Sequence, residues 1–173
     1  GTYRNVTTFA GTGTAGATDN SNPLLASFNG PKGIVKDLLG NYYVAEETGN
    51  KIRKIAANGA VTLVVSVGAN VYDITINSAN GDLYYTTVND VICKLANTNA
   101  ANYPAQNPTY VNAVTIVAGS TAGFTNATGT GAKFNTPVGI AIAPDNSYLL
   151  IADQANHRIR KMTLPGYVVT TFA

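Results

Sequence analysis

Two long stretches of this sequence occur twice at nearly the same separation. Residues 28–34 read FNGPKGI, and residues 134–140 repeat them as FNTPVGI, a shift of 106 residues from position 28 to position 134. Residues 45–55, AEETGNKIRKI, return as ADQANHRIRKM at residues 152–162. A fixed long period of this kind indicates a fold built from repeated structural units.

A weaker third copy lies between the two strong ones. Residues 72–76, 80–85 and 91–95 follow the same order of strand, turn and strand, so the shift spans two units of 53 residues (106/2). Each unit contains four short stretches of strand-forming residues separated by turn signals such as Asn-Gly. The predicted strands are residues 33–36, 41–45, 51–55 and 61–65, then 71–76, 82–86, 91–95 and 114–118, then 139–143, 148–152, 158–162 and 168–172.

Four-stranded antiparallel sheets that repeat along a chain are typical of β-propeller blades. A β-sandwich would also contain many short strands, but not near-identical motifs at a fixed long period. We therefore predict an all-β fold, a single propeller segment over residues 1–173, with blades at about residues 28–66, 67–119 and 134–173. The string VTTFA that ends the third blade also occurs at residues 6–10, where we predict a spare outer strand.

The repeated unit resembles the NHL repeat. Its order of P-x-G-I, hairpin, Y-x-V/I-A-D/E, a basic R/K-I-R-K string and V-T-x-x-A-G is followed at residues 31–34, 42–46, 49–54 and 61–65, and again at 137–140, 148–153, 155–161 and 168–173. The middle copy departs from the pattern, because Val88, Asn89 and Asp90 stand where a longer basic loop is expected. The resemblance implies a β-propeller, usually of six blades, that usually acts as a binding scaffold. This chain would then be half or a fragment of such a ring.

Composition and charge exclude several other classes. Charged residues make up 12% of the 173 residues and the formal net charge is +2, too small an excess to predict a nucleic-acid partner. The single cysteine, Cys93, excludes an intramolecular disulfide framework. No apolar run reaches the roughly 20 residues that a membrane-spanning helix needs. The high content of small and polar residues is more typical of extracellular or cell-surface proteins than of cytosolic enzymes.

The basic strings at residues 51–54 (KIRK) and 158–161 (RIRK) allow two interpretations. Some NHL propellers bind RNA through a basic face, which the strings could form. Alternatively, these residues are part of the repeat itself and bond neighbouring loops. We prefer the structural interpretation, because the net charge is small and the acids Glu46, Glu47 and Asp153 lie nearby in the sequence.

In a propeller, the loops between second and third strands lie on the same side as the connections between blades. Here that side contains residues 46–50, 88–90 and 153–157 together with the long segments 11–27 and 119–133. Loops on rigid scaffolds often carry binding. The ligand-binding candidates are the most polar points of this rim: Glu46, Asn50, Asp153, Asn156 and His157. The alternative is that Asp153 and Asn156 only order the turn into the third strand.

Signals of catalysis are weak. His157 is the only histidine, which excludes a site of several histidines within one chain, and we predict no metal or other cofactor. Cys93 lies in the apolar string VICKL and suits a buried position better than a nucleophile. The G-x-G-x-x-G spacing at residues 11–16 does not lie between a strand and a helix, which argues against a dinucleotide site. Asn5 and Asn126 begin glycosylation sequons, and Asn126 is the better candidate because its loop is long.

Three blades are fewer than the four to eight of a typical closed propeller. Open sheet edges and apolar faces between blades are rarely left exposed, so we predict association. Two half-propellers close into six blades, or copies form a head-to-tail array, or the chain is part of a longer propeller polypeptide. The strands expected to take part are the two VTTFA copies, with Val6, Thr7, Thr8 and Phe9 in one and Val169, Thr170, Thr171 and Phe172 in the other.

The sequence thus predicts a non-enzymatic binding or assembly module that is extracellular or on the cell surface. Its partners would be copies of itself or another protein, with no nucleic acid and no membrane span. A propeller lyase or hydrolase with its site at the channel mouth is the alternative from another class, and it would need acidic, histidine or metal groups converging there. An RNA-binding NHL domain is the second alternative.

Overall fold

A computed structural model describes the chain from residue 4 to residue 173, apart from the side chains of residues 112 and 113. Within that range twelve strands form three antiparallel sheets of four strands each, without an α-helix. Sheet 1 contains β1 (Pro31–Lys36), β2 (Tyr42–Glu46), β3 (Lys51–Ile55) and β4 (Val61–Ser66). Sheet 2 contains β5 (Val71–Ile76), β6 (Leu83–Thr87), β7 (Val91–Asn97) and β8 (Tyr110–Gly119). Sheet 3 contains β9 (Pro137–Ile142), β10 (Tyr148–Asp153), β11 (Arg158–Thr163) and β12 (Val169–Thr171). The predicted all-β class with three four-stranded sheets is confirmed.

Tight turns place the strands of each sheet in chain order. In the turn between β1 and β2, the Asp37 carboxylate accepts hydrogen bonds from the backbone N–H groups of Leu39 and Asn41, at 2.9 and 2.8 Å. This turn sets the register that places Ile34 opposite Val44. Because residues opposite each other share a face of the sheet, both side chains lie on the same side of sheet 1.

The three sheets pack face to face in chain order, with β5 between β1 and β9. The core between sheets 1 and 2 contains Tyr43 and Ile52 from one side and Tyr85 from the other. The core between sheets 2 and 3 contains Ile92 and Ile151. Fully burying a side chain of this kind stabilises the fold by roughly 1.5–3 kcal/mol, so these two cores fix the order of the sheets.

The segment between β7 and β8 fastens sheet 2 to sheet 1. The hydroxyl of Tyr103 accepts a hydrogen bond from the backbone N–H of Leu38 at 3.3 Å, and Asn107 Oδ1 accepts one from Asn41 Nδ2 at 2.9 Å. Tyr110, the first residue of β8, meets the ring of Tyr43 in sheet 1 edge-on with 5.8 Å between centroids, and its hydroxyl donates to the carbonyl of Gly81 within sheet 2 at 2.7 Å. The segment between β7 and β8 therefore helps to pack the two sheets together at the end opposite the predicted rim.

Residues 6–10 do not form the spare outer strand that the sequence predicts, so this prediction is wrong for the chain in this structure. An outer strand needs a third strand to pair with, and β11 is already paired with β12. The segment lies against sheet 1 instead, where the ring of Phe9 meets the ring of Tyr42 edge-on with 5.7 Å between centroids. Of the second VTTFA copy, Val169, Thr170 and Thr171 form β12, and Phe172 follows its end.

No helix in residues 4–173 has both the length and the apolar character that crossing a membrane requires.

Candidate functional site

The loops that the sequence assigns to one rim do contact one another. The backbone N–H of Glu47 donates to the carbonyl of Gly30 at 2.8 Å, which joins the β2–β3 turn to the segment before β1. The backbone N–H of Thr136 donates to Asp90 Oδ1 at 2.8 Å, which joins the segment before β9 to the β6–β7 turn. The turns between second and third strands therefore lie beside the connections between sheets.

Glu46, the first of the candidate ligand residues, faces a buried arginine of its own sheet. Both side chains are fully buried, and Arg53 Nη1 lies 3.5 Å from Glu46 Oε1. The same guanidinium donates to the carbonyl of Ser27 at 2.9 Å and forms an ion pair with Asp19 at 2.6 Å. Arg53 thereby fastens the long segment 11–27 to sheet 1.

Asp153 occupies the equivalent position in sheet 3 and is more tightly bonded. Its Oδ2 accepts hydrogen bonds from Arg160 Nη1 and from Asn156 Nδ2, both at 2.8 Å, and its Oδ1 accepts the backbone N–H of Asn135 at 2.7 Å. Arg160 also donates from Nη2 to Asn126 Oδ1 at 2.7 Å. Arg160 thus holds the long segment 119–133 as Arg53 holds the segment before sheet 1.

Sheet 2 lacks both members of this pair. In sheet 2, Cys93 lies opposite Tyr85, and in sheet 1 the equivalent residue opposite Val44 is Arg53. Thr87 occupies the position in sheet 2 that Glu46 occupies in sheet 1. Sheet 2 is preceded by only a short connection, so it has no long segment to hold. The arginine and the acid therefore occur together where a long segment precedes the sheet, which supports the structural interpretation of the basic strings.

The acidic side chains of Glu46 and Asp153 differ in length, and the residue three positions further along the chain compensates for the difference. In sheet 1, Glu46 Oε2 comes so close to Gly49 that a Cβ at that glycine would collide with it. In sheet 3, the shorter Asp153 leaves room for Asn156, which stands at the position of Gly49. Glu46 Oε2 lacks the hydrogen bond that Asn156 gives to Asp153. Burial accordingly raises the pKa of Glu46, although the Asn29 N–H and the Arg53 guanidinium oppose the shift.

Replacing Gly49 by asparagine is expected to lower the free energy of unfolding by about 1–3 kcal/mol, because the added side chain overpacks the site beside Glu46. Adding Glu46→Asp is expected to restore most of that loss, since the pair then matches Asp153 and Asn156 of sheet 3. Urea unfolding of both single variants and the double variant measures the coupling between the two changes. Losses that simply add would contradict this account of the site.

The remaining candidates, Asn50 and His157, occupy equivalent turn positions in sheets 1 and 3. Both have φ of +53°, the left-handed conformation that ends the turn before the third strand. His157 is exposed, and Asn50 is half-buried. The five candidates therefore form two separate turns rather than one cluster. In the described part of the chain, no three histidine, cysteine or acidic side chains are grouped to hold a metal ion.

The two sequon asparagines differ in their surroundings. Asn5 lies in the exposed segment before sheet 1, and Asn126 is exposed although its Oδ1 is bonded to Arg160. Glycosylation at either position stays a prediction.

The open side of sheet 1 exposes apolar residues whose counterparts are buried elsewhere. Ile34 is 60% exposed, whereas Ile140, its counterpart in sheet 3, is 6% exposed in the core against sheet 2. The registers are the same, with Ile34 opposite Val44 and Ile140 opposite Ile151. We call this surface of sheet 1 the leading face. It forms a groove of about 370 Å³ lined by Phe9, Phe28, Ile34, Val44 and Ile55.

The open side of sheet 3 is the complement of the leading face. Ala45 and Ile52 of sheet 1 are fully buried against sheet 2, but their counterparts in sheet 3, Ala152 and Ile159, face outward and Ile159 is 37% exposed. We call this surface the trailing face. It forms a groove of about 510 Å³ lined by Leu150, Ala152, Ile159 and Phe172, among others. Inside the molecule, surfaces equivalent to the trailing face pack against surfaces equivalent to the leading face, once between sheets 1 and 2 and once between sheets 2 and 3. The two open faces are therefore complementary.

Solved structures resemble this fold, whereas no family model and no curated protein matches the sequence. An auxiliary nutrient binding protein from Bacteroides ovatus ATCC 8483 has a TM-score of 0.69 and 22% identity over 86% of this chain and 37% of its own. A streptogramin B lyase has a TM-score of 0.59 and 21% identity over 87% of this chain and 43% of its own. Virginiamycin B lyase from Staphylococcus aureus has a TM-score of 0.55 and 20% identity over 83% of this chain and 41% of its own.

These likenesses show the fold alone, a β-propeller-like arrangement of antiparallel sheets. The chain spans between 37% and 43% of the length of these proteins. Both binding proteins and lyases share the arrangement, so the fold leaves the choice of function to the surfaces of this chain.

Proposed function

We propose that this chain is an NHL-type propeller segment that acts as a non-enzymatic binding and assembly module through its leading and trailing faces. The observation that carries the proposal is the exposure of Ile34 beside the burial of its counterpart Ile140. The face of sheet 3 that contains Ile140 is buried against sheet 2, whereas the equivalent face of sheet 1, the leading face, is exposed. Exposed apolar surface of this kind marks interaction sites.

The groups that could serve catalysis favour this proposal over an enzyme. Asp153 and Glu46 are buried beside arginines, and their bonds hold neighbouring segments. Burial raises the pKa of Cys93 to about 11, so its thiol is protonated and unreactive near neutral pH. The lyase or hydrolase alternative would need groups that converge at the channel mouth, supplied by further blades.

The RNA-binding alternative is weakened by the same geometry. The guanidinium groups of Arg53 and Arg160 are fully buried, and their Nη atoms donate to acceptors of the protein itself, so a phosphate outside the fold cannot reach them. Extracellular or cell-surface placement remains part of the proposal, since the small and polar composition favours it.

Light scattering of the purified chain tests the proposal. We expect a mass larger than one chain for the natural sequence, and we expect Ile34→Asp to reduce it to one chain because the charge disrupts the leading face. Leu38→Asp is the matched control, since Leu38 is 64% exposed but lies in the β1–β2 turn away from that face.

A natural sequence that stays monomeric at all concentrations would overturn the proposal. Equal loss of association in Ile34→Asp and Leu38→Asp would also contradict it, because the leading face would then have no special part. Circular dichroism spectra of both variants, identical to that of the natural sequence, exclude unfolding as the cause.

A further inference from the structure

One five-residue string stands at two places in the fold. VTTFA occupies residues 6–10 before sheet 1 and residues 169–173 at the end of sheet 3, and β8 carries the related VTIVAG at residues 114–119. In sheets 2 and 3 these strings belong to the outer strands β8 and β12. Among the described residues, no strand pairs with residues 6–10.

The segment before sheet 1 nevertheless has the contacts that an outer strand makes with the following sheet. A Cβ built on Gly119, at the end of β8, would lie 3.1 Å from the ring of Phe134 before sheet 3. A Cβ built on Gly11 would lie 3.5 Å from the ring of Phe28, the counterpart of Phe134. Residues 6–11 therefore lie in the same position relative to sheet 1 as the end of β8 does relative to sheet 3.

A difference between the two glycines identifies the missing neighbour. Gly119 also packs against the carbonyl of Asp90 and the Cα of Val91, at the beginning of the third strand β7. Among the described residues, and apart from its chain neighbours, Phe28 is the only one within 4 Å of a Cβ built on Gly11, whose backbone N–H is bonded to the carbonyl of Pro23 and not to a strand. The inner edge of residues 6–10 thus lacks a third strand of the kind that β7 supplies to β8.

We infer that β11 of a second copy of this chain pairs with residues 6–10, which take the place of that copy's β12. The two strings are identical, so residues 6–10 can make the same bonds to β11 that β12 makes. In the present register Lys161 stands opposite Thr170, so the exchange places Lys161 of the second copy opposite Thr7. The inference rests on the proposed function and names its partner as a second copy.

The exchange also brings the two open faces together. Residues 6–11 already lie against the leading face through Phe9 and Tyr42. A sheet 3 that pairs with them sets its trailing face, with Ala152 and Ile159, over Ile34. The new contact repeats the two internal packings of the molecule, and exchange of an identical element between copies is a known route to assembly.

A cysteine pair tests the exchange. Thr7→Cys/Lys161→Cys, oxidised while assembled, is expected to form an intermolecular disulfide, identified by mass spectrometry of the linked peptides. Thr8→Cys/Lys161→Cys is the register control, because adjacent strand residues point to opposite faces. We expect at least about tenfold less linked dimer from the control, since the Cβ separation required for a disulfide is then exceeded. The natural Cys93 is buried and stays in all variants.

The outcomes separate the two proposals. Association of the natural sequence, with no excess of the Thr7–Lys161 disulfide over the Thr8 control, overturns strand exchange and leaves the proposed function standing. A natural sequence that does not associate overturns the proposed function itself. The preferred Thr7–Lys161 disulfide supports both.

Discussion

Replacing Arg160 by methionine is expected to lower the free energy of unfolding by about 3–5 kcal/mol, the range seen when one member of a buried ion pair is removed. The substitution leaves Asp153 charged and buried, with one of its donors gone. It also leaves the carbonyl of Thr125, 2.9 Å from Nη2, without its donor, and removes the guanidinium from between the rings of Phe124 and Phe134. Segment 119–133 would lose its main attachment to sheet 3.

Urea unfolding followed by circular dichroism measures the Arg160 effect. Arg158→Met is the matched control, because Arg158 belongs to the same strand and also stacks on Phe124, at 4.3 Å, but is exposed and forms no buried ion pair. We expect this variant to lose no more than about 1 kcal/mol. The double variant Asp153→Asn/Arg160→Met should be less destabilised than Arg160→Met alone, since the unpaired buried charge is then gone. A loss below about 1 kcal/mol for Arg160→Met would contradict the buried attachment.

Replacing Gly119 by alanine is expected to cost about 3 kcal/mol of stability. Gly119 has φ of +89°, which strains any residue with a Cβ by about 1 kcal/mol. The Cβ would also collide with the carbonyl of Asp90 and approach the Cα of Val91 to 2.9 Å, backbone that cannot turn aside. Overpacking of this kind adds about 1–3 kcal/mol.

Gly13→Ala separates the strain of the Gly119 variant from its collision. Gly13 has φ of +81° but nothing within 4 Å of its Cβ position, so only the strain of about 1 kcal/mol should remain. Thermal unfolding of the two variants under the same conditions gives the comparison. Equal shifts of Tm in both variants would contradict the close contact between Gly119 and the backbone of Asp90 and Val91.

The strands could be predicted from the sequence because their signals are local. Alternation of apolar residues and turn residues such as Asp37 act within a few residues, so the repeat places all twelve strands. Residues 6–10 carry the same string as β12, yet they form no strand in this chain. A strand needs a partner to satisfy its backbone groups, and whether the partner is present is not a property of the string itself.

The candidate site shows the same limit. Glu46 and Asp153 are two of the five polar residues predicted to form the ligand-binding rim, and both are fully buried beside Arg53 and Arg160. The signal that could have revealed this is the pairing of arginine with acid in the first and third units and its joint loss at Cys93 and Thr87 in the second. The sequence pattern can be interpreted as an ion pair only when the strand register is known, because the register shows which residues share a face of the sheet.

The repeat is sufficient to predict the number and order of the sheets and the apolar character of their faces. Which of those faces are covered depends on how the sheets pack in three dimensions. Ile34 and Ile140 are the same residue in the same motif, and one is open while the other is buried because burial depends on the neighbouring sheet. Arg53 likewise bonds to Asp19, which lies 34 residues earlier in the chain. The string KIRK cannot predict this contact, because it depends on the path of the long segment before sheet 1.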